Sequence, residues 1–163
     1  EAGVTYELAS THVGVVMGVL GKKAKVNRTF EDVLLSGIDD YYALMIVGGP
    51  GTQVHLWNNR HLIELVTIFN TRQKVVAAID NAPIVIAKAG ILKKKIATVA
   101  PGLTVREMMK EDAIIQNKPV VYKDRIVTAM GFEAAEEFAS IIIKYEKGNP
   151  EFVPTSGKAG FAF

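Results

Sequence analysis

Lys74-Val-Val-Ala-Ala-Ile-Asp-Asn-Ala-Pro-Ile-Val-Ile-Ala-Lys-Ala-Gly-Ile-Leu92 decides the fold of this chain. Val75 to Ile79 is a short apolar run of buried-strand character, it breaks at Asp80-Asn81, and it resumes as an apolar helix with Pro83 in the first turn, where a missing N–H costs nothing. A strand that turns sharply into a helix belongs to a parallel α/β sheet. In such sheets the turn stands above the carboxyl edge, at a helix N-terminus, where nucleophiles and anions are held. Asp80 occupies that turn.

Working outward, the upstream run Ala43-Leu-Met-Ile-Val47 reads as a second buried strand, closed by Gly48-Gly-Pro-Gly51. Between the two strands, Leu62, Ile63, Leu65, Val66 and Phe69 recur at a helical period, with Asn58 just before them. Val4 to Ser10 alternates as a strand, Gly14 to Gly21 reads as a glycine-bounded apolar excursion, and Lys25 to Asn27 as a short edge segment. Asn27 or Thr29 is placed to cap the turn through Glu31 to Leu35. Ile96 to Val99 suggests another short strand and Thr104 to Lys110 a short helix. Val120 to Lys123 and Arg125 to Ala129 suggest a hairpin, and Glu133 to Glu146 the last helix, with Phe138, Ile141, Ile142 and Tyr145 on one stripe. Strands alternating with helices predict an α/β, three-layer sandwich around a mostly parallel sheet. Gly148 to Phe163, rich in Gly and Pro, is expected to be irregular.

At 163 residues the chain has room for one well-filled core. No apolar run reaches the roughly 18–20 residues of a membrane span, nothing reads as a secretory leader, and the default compartment is cytoplasmic. A net charge of +2 is too small to point to nucleic acid, and Lys93-Lys-Lys95 reads as a solvated turn. The chain contains no cysteine, which removes disulfide and thiolate chemistry together. His55 and His61 lack an obvious third partner and are expected to be surface or packing residues, so neither a metal nor a cofactor is implied. Trp57 reads as packing or an interface anchor.

Together, Asp40-Tyr-Tyr-Ala-Leu-Met-Ile-Val-Gly-Gly49, Gly51-Thr-Gln-Val-His-Leu56, Ala77-Ala-Ile-Asp-Asn-Ala-Pro83, Ala87-Lys-Ala-Gly-Ile-Leu92 and Arg125-Ile-Val-Thr-Ala-Met-Gly131 resemble the ThiJ/PfpI family. This is the superfamily of intracellular proteases, deglycases and the parkinsonism-associated redox protein, with a class I glutamine amidotransferase-like fold. The resemblance covers residues 1–147 and implies a flavodoxin-like sheet. It also implies that this domain is N-terminally incomplete: the family's first strand and helix have no counterpart, and either the chain is part of a longer product or another segment fills the central position. Family members commonly associate, so a homo-oligomer is implied as well.

The same resemblance implies a departure in chemistry. The family's elbow cysteine matches Asp80, the histidine that often follows it matches Asn81, and a second histidine before a proline matches Ala100. The activating glutamate belongs to the part without a counterpart. What remains is the scaffold of an oxyanion pocket: Gly48 and Gly49 on one side, with the Gly49 and Asn81 amides as donors. Asp80 is expected to be ionised there, its carboxylate favoured by those amides and the helix dipole, which makes it a poor general base. In charge and shape it resembles a cysteine sulfinate. Equally, Asp and Asn tolerate left-handed backbone, so the pair can simply suit the turn. Glu133 can face the elbow or merely complement its own helix.

Two functional readings follow. In one, the protein has lost cysteine catalysis and serves as a binding, regulatory or structural oligomer with a retained pocket for a small anionic ligand. In the other, Asp80 is the nucleophile or acid/base of a hydrolase or lyase, and the Gly49 and Asn81 amides hold the oxyanion.

Overall fold

The computed structural model describes residues 3–146 and 158–162. The chain opens with β1 (Tyr6–Ser10), a hairpin of β2 (Gly14–Met17) and β3 (Lys23–Val26), and β4 (Arg28–Thr29). Helix α1 (Phe30–Ser36) follows, started by a complete capping box: Thr29 accepts from the Asp32 N–H, and the Asp32 carboxylate accepts from the Thr29 N–H at 2.7 Å. Those hydrogen bonds hold the exposed Asp32 carboxyl below its ordinary range, the Thr29 backbone donor contributing most. Then come β5 (Tyr41–Ile46), α2 (Gly51–His55), α3 (Arg60–Thr71), β6 (Val75–Ile79) and α4 (Pro83–Lys88). Asn59, one residue beyond the predicted start, caps α3 through the Leu62 N–H.

After α4 lie β7 (Ile96–Ala97), α5 (Leu103–Lys110), β8 (Ile114–Ile115), β9 (Val120–Lys123), β10 (Ile126–Ala129), a single 3-10 turn at Phe132–Ala134, and α6 (Ala135–Glu146). The β9–β10 turn runs through Asp124 and Arg125, both left-handed at φ 52° and 62°. Strand β11 (Lys158–Ala162) comes last.

The main sheet has the order β4-β1-β11-β5-β6-β10-β9, and only the β9–β10 pair is antiparallel. One face is covered by α1, α3 and α4, with Phe30, Leu44, Ile46, Leu65, Val66, Phe69, Val76, Ile84 and Ile86 in that core. The other packs Tyr42, Ala43, Val75, Ala77, Val127 and Ala129 beneath Phe138, Ile141, Ile142 and Tyr145 of α6. The predicted α/β sandwich and mostly parallel sheet are therefore present. Central strands β5 and β6 are apolar on both faces, as burial under two helical layers requires.

Two expectations are corrected. The segment expected to be irregular over 148–163 supplies β11, which lies between β1 and β5 in the sheet and runs parallel to both. Residues 148–157 and Phe163 lie outside the described residues. The excursion at Gly14 to Gly21 and the edge segment at Lys25 to Asn27 are the two halves of one hairpin, whose strands pair antiparallel without a shift in register. The short strand expected over Ile96 to Val99 is present as Ile96–Ala97, which pairs in parallel with β8 in a separate two-stranded sheet.

Candidate functional site

β5, β6 and β10 run parallel and end at the same edge, so the loops that follow them converge there. Asp80 sits directly after β6 with φ 64°, a left-handed conformation that costs an L-residue energy and is kept only when its surroundings enforce it. Here they do. Asp80 donates its N–H to the Ala129 carbonyl of β10 at 3.0 Å, and its own carbonyl accepts from the Ala100 N–H at 2.9 Å. Ala100 thus touches the elbow through its backbone, and its methyl side chain brings no base.

Asn81 is held at both ends. Its carboxamide forms a two-way clamp with Gly49, accepting the Gly49 N–H at 3.1 Å and donating to the Gly49 carbonyl at 2.9 Å. Its main-chain carbonyl accepts the indole N–H of Trp57 at 3.0 Å. Trp57 is buried, so it belongs to the core and positions the elbow rather than anchoring an exposed interface. Neither role of Asn81 and Trp57 was legible from the residue types alone. The spacing of Gly49, Trp57 and Asn81 carries no periodicity, and only the approach of the two loops makes the bonds.

The glycines have separate reasons. Gly49 lies at φ 131°, outside the region of ordinary side chains. Gly48 permits close approach: a Cβ there would lie 2.5 Å from the Asp80 Cβ, 2.6 Å from its Oδ2 and 2.6 Å from the Ile79 carbonyl. Asp80 therefore leans over Gly48, half-buried, and its carboxylate has no hydrogen-bond or ion-pair partner among the described residues.

This geometry changes the expected oxyanion pocket. Of the two donors, the Gly49 N–H is already used by the Asn81 carboxamide. Helix α4 has only six residues, so its aligned dipole is short. An incoming anion has to displace the Asn81 side chain and tolerate the Asp80 carboxylate beside it. His55 is exposed on α2, His61 half-buried on α3, and Glu133 exposed in the 3-10 turn after β10; the structure gives none of them a bond to Asp80. Among the described residues no group of three or more His, Asp or Glu side chains is placed to hold a metal ion, and no helix is long and apolar enough to cross a membrane.

Residues 1–145 match the sequence profile of the DJ-1/PfpI family. The chain is 42% identical over 149 residues to an uncharacterized protein of Methanocaldococcus jannaschii, covering 90% of this chain and 71% of that one. It is 32% identical over 132 residues to deglycase PfpI of Pyrococcus furiosus, covering 80% of this chain and 72% of the relative. Among solved structures, the ThiJ/PfpI domain protein from Brachyspira murdochii superposes with a TM-score of 0.82 at 28% identity, over 88% of this chain and 80% of that one.

Proposed function

We propose, from the premise that this chain belongs to the DJ-1/PfpI family, that it has left the family's thiolate chemistry and serves as a non-catalytic binding, regulatory or structural homo-oligomer. The observation that carries this reading is the elbow itself. The strained backbone that presents a nucleophile is kept, yet it presents the unpartnered carboxylate of Asp80, flanked by Asn81 and Ala100 where a base would stand. A carboxylate nucleophile forms an ester whose hydrolysis needs an activated water. No histidine among the described residues is hydrogen-bonded to the elbow to activate one.

Asp80 carries the charge of an oxidised cysteine without needing an oxidant, so the elbow is a standing imitation of the sulfinate form. Any ligand pocket retained there is gated by Asn81, because binding of a small anion at Gly49 requires that clamp to open. The experiment is an assay of the purified protein for proteolysis, deglycation and glyoxalase turnover. No turnover above buffer is expected. Turnover that disappears in Asp80→Asn, with the fold intact by circular dichroism, would overturn the reading in favour of an Asp80-dependent hydrolase or lyase.

A further inference from the structure

The composition of β11 does not suit its place. It lies between β1 and β5 inside a parallel sheet, where both faces are covered and strands are normally continuous runs of Val, Ile and Leu. Its neighbours follow that rule, with Tyr41-Tyr-Ala-Leu-Met-Ile46 in β5 and Val75-Val-Ala-Ala-Ile79 in β6. β11 reads Lys158-Ala-Gly-Phe-Ala162.

The register locates the missing mass. Gly160 stands beside Glu7 on one side and Leu44 on the other, and Ala162 beside Ala9 and Ile46. Successive residues of a strand alternate between faces, and residues in register across a parallel pair share one. Leu44 and Ile46 belong to the core under α1 and α3, and Ala9 packs against it. The two positions of β11 on that face are therefore a glycine and an alanine. The same neighbours wall a recess: Ala9 and Leu44, with Phe30 and Val33 of α1 and Leu65 and Phe69 of α3, surround about 350 Å³ of empty volume. The polar groups in its wall, Glu7, Arg28 and Tyr41, already bond one another, so what the recess lacks is apolar mass. Protein interiors are close-packed, and the lining of a void forfeits the contacts that filling it would restore.

We propose that the slot between β1 and β5 is a strand-binding site: an extended segment of a partner polypeptide, with large aliphatic residues at the positions of Gly160 and Ala162, displaces β11 and runs parallel to β1 and β5. The site is separate from the elbow and independent of its chemistry. Main-chain hydrogen bonds to β1 and β5 are the same for either strand, so the side chains decide between them. Glycine contributes no side chain and alanine one carbon, whereas Val, Ile or Leu at those positions would enter the recess and leave water. Added strands are read in this way, by pockets for alternate side chains. Exchange opens the sheet only along β11, which is five residues long. A small apolar molecule is the competing occupant. To enter from the helical side it has to part Phe30, Leu65 and Phe69, all buried, whereas a side chain carried on the strand arrives from the sheet.

The test is fluorescence anisotropy on the full chain with two labelled peptides, one of the 156–163 sequence and one of that sequence carrying Gly160→Val and Ala162→Val. The valine peptide is expected to bind at least about 100-fold more tightly, because two aliphatic side chains enter the recess. Made within the chain, Gly160→Val/Ala162→Val is expected to raise the thermal midpoint and to weaken binding of the valine peptide by a similar factor, since the slot is then filled in cis. Ala9→Leu, which fills the recess from β1, is expected to remove the preference between the peptides while circular dichroism stays that of the wild type. Equal affinity for both peptides, or binding of neither, overturns the proposal. Unchanged peptide binding by the in-chain valine variant overturns it as well, whether or not Ala9→Leu folds. Indole that binds the wild type and is excluded by Ala9→Leu, with the valine peptide unbound, would assign the recess to a small apolar molecule instead.

Discussion

The elbow at the carboxyl edge of the sheet and the polar cluster near its amino edge use similar residue types to opposite ends. Near the amino edge, Arg28 of β4 donates to the Glu7 carboxylate of β1 at 3.4 Å, to the Tyr41 hydroxyl of β5 at 3.0 Å, to the Asp32 carbonyl at 2.7 Å and to the Ser36 hydroxyl at 2.5 Å. Tyr41 donates in turn to Glu7, and Lys74 donates to the Asp39 and Tyr41 carbonyls at the entry to β6. Arg28 and Glu7 answer each other and Lys74 is answered by backbone carbonyls, so the cluster fastens β1, β4, β5 and α1 together. At the elbow the backbone is tied down just as firmly, but the one ionisable side chain is left open. A satisfied network is explained by the fold; a carboxylate held unpartnered on a strained turn is not, and that difference locates the candidate site.

The packing of the elbow is most sensitive at Gly48. Gly48→Ala places a methyl group against Asp80 and the Ile79 carbonyl, and its expected cost is about 1–3 kcal/mol, as for other overpacked sites. Denaturant unfolding measures it. The paired variant Gly48→Ala/Asp80→Gly should recover part of the loss, because the Asp80 Cβ and carboxylate are two of the three groups in the way.

At the amino edge, Tyr41→Phe removes the hydroxyl shared by Glu7 and Arg28, at an expected cost of about 1–2 kcal/mol in the same measurement. The pH dependence carries a sharper sign. Burial, with the Glu7 carboxylate beside it, pushes the Tyr41 phenol up from 10.0 to about 12. The folded state therefore holds that proton more tightly than the unfolded chain. Its contribution is complete below pH 10.0 and is lost as pH rises towards about 12. Lys74, lowered by burial, titrates with the opposite sign in the alkaline range, so the quantity to measure is the difference in slope between wild type and Tyr41→Phe. Equal slopes would mean that the tyrosine is not part of the network.

A smaller effect, about 1 kcal/mol, is expected for Thr29→Ala, which removes one arm of the α1 capping box. Because the Asp32 carboxyl is held below its ordinary value of 3.8, its contribution is present above that pH and is lost as pH falls through the lower folded value. Asp32→Asn should flatten the acid limb of the stability profile without moving the alkaline one.

The smallest stability change, about 0.5–1 kcal/mol, is expected for Asn81→Ala, which opens the clamp on Gly49. Its value lies in the ligand readout. Freed of the carboxamide, the Gly49 N–H should bind a small oxyanion more tightly, most clearly when Asp80→Asn also removes the opposing charge. Isothermal titration with inorganic phosphate checks this; no gain in either variant would show that the donors no longer form a pocket.

The strands β5 and β6, the Pro83 helix start and the α6 stripe were legible because burial under two helical layers imposes an apolar run or a helical period on the residues themselves. The turn at Asp80 was legible for the same reason, since a broken apolar run flanked by glycines upstream and a proline downstream leaves few other geometries. β11 was not legible: Lys158–Ala162 has little apolar mass of its own, and its strand character comes from the open edges of β1 and β5 on either side of it. The hairpin is not legible as one unit along the chain, because glycines at Gly14, Gly18 and Gly21 obscure the alternation that its pairing restores. At the site, sequence determined which residue stands on the elbow and that no thiol can replace it. Only the tertiary structure decided that Asn81 closes on Gly49, that Trp57 holds Asn81 in place, and that Asp80 has no partner among the described residues. Hydrogen bonds between loops depend on distances of a few tenths of an ångström that no pattern along the chain encodes.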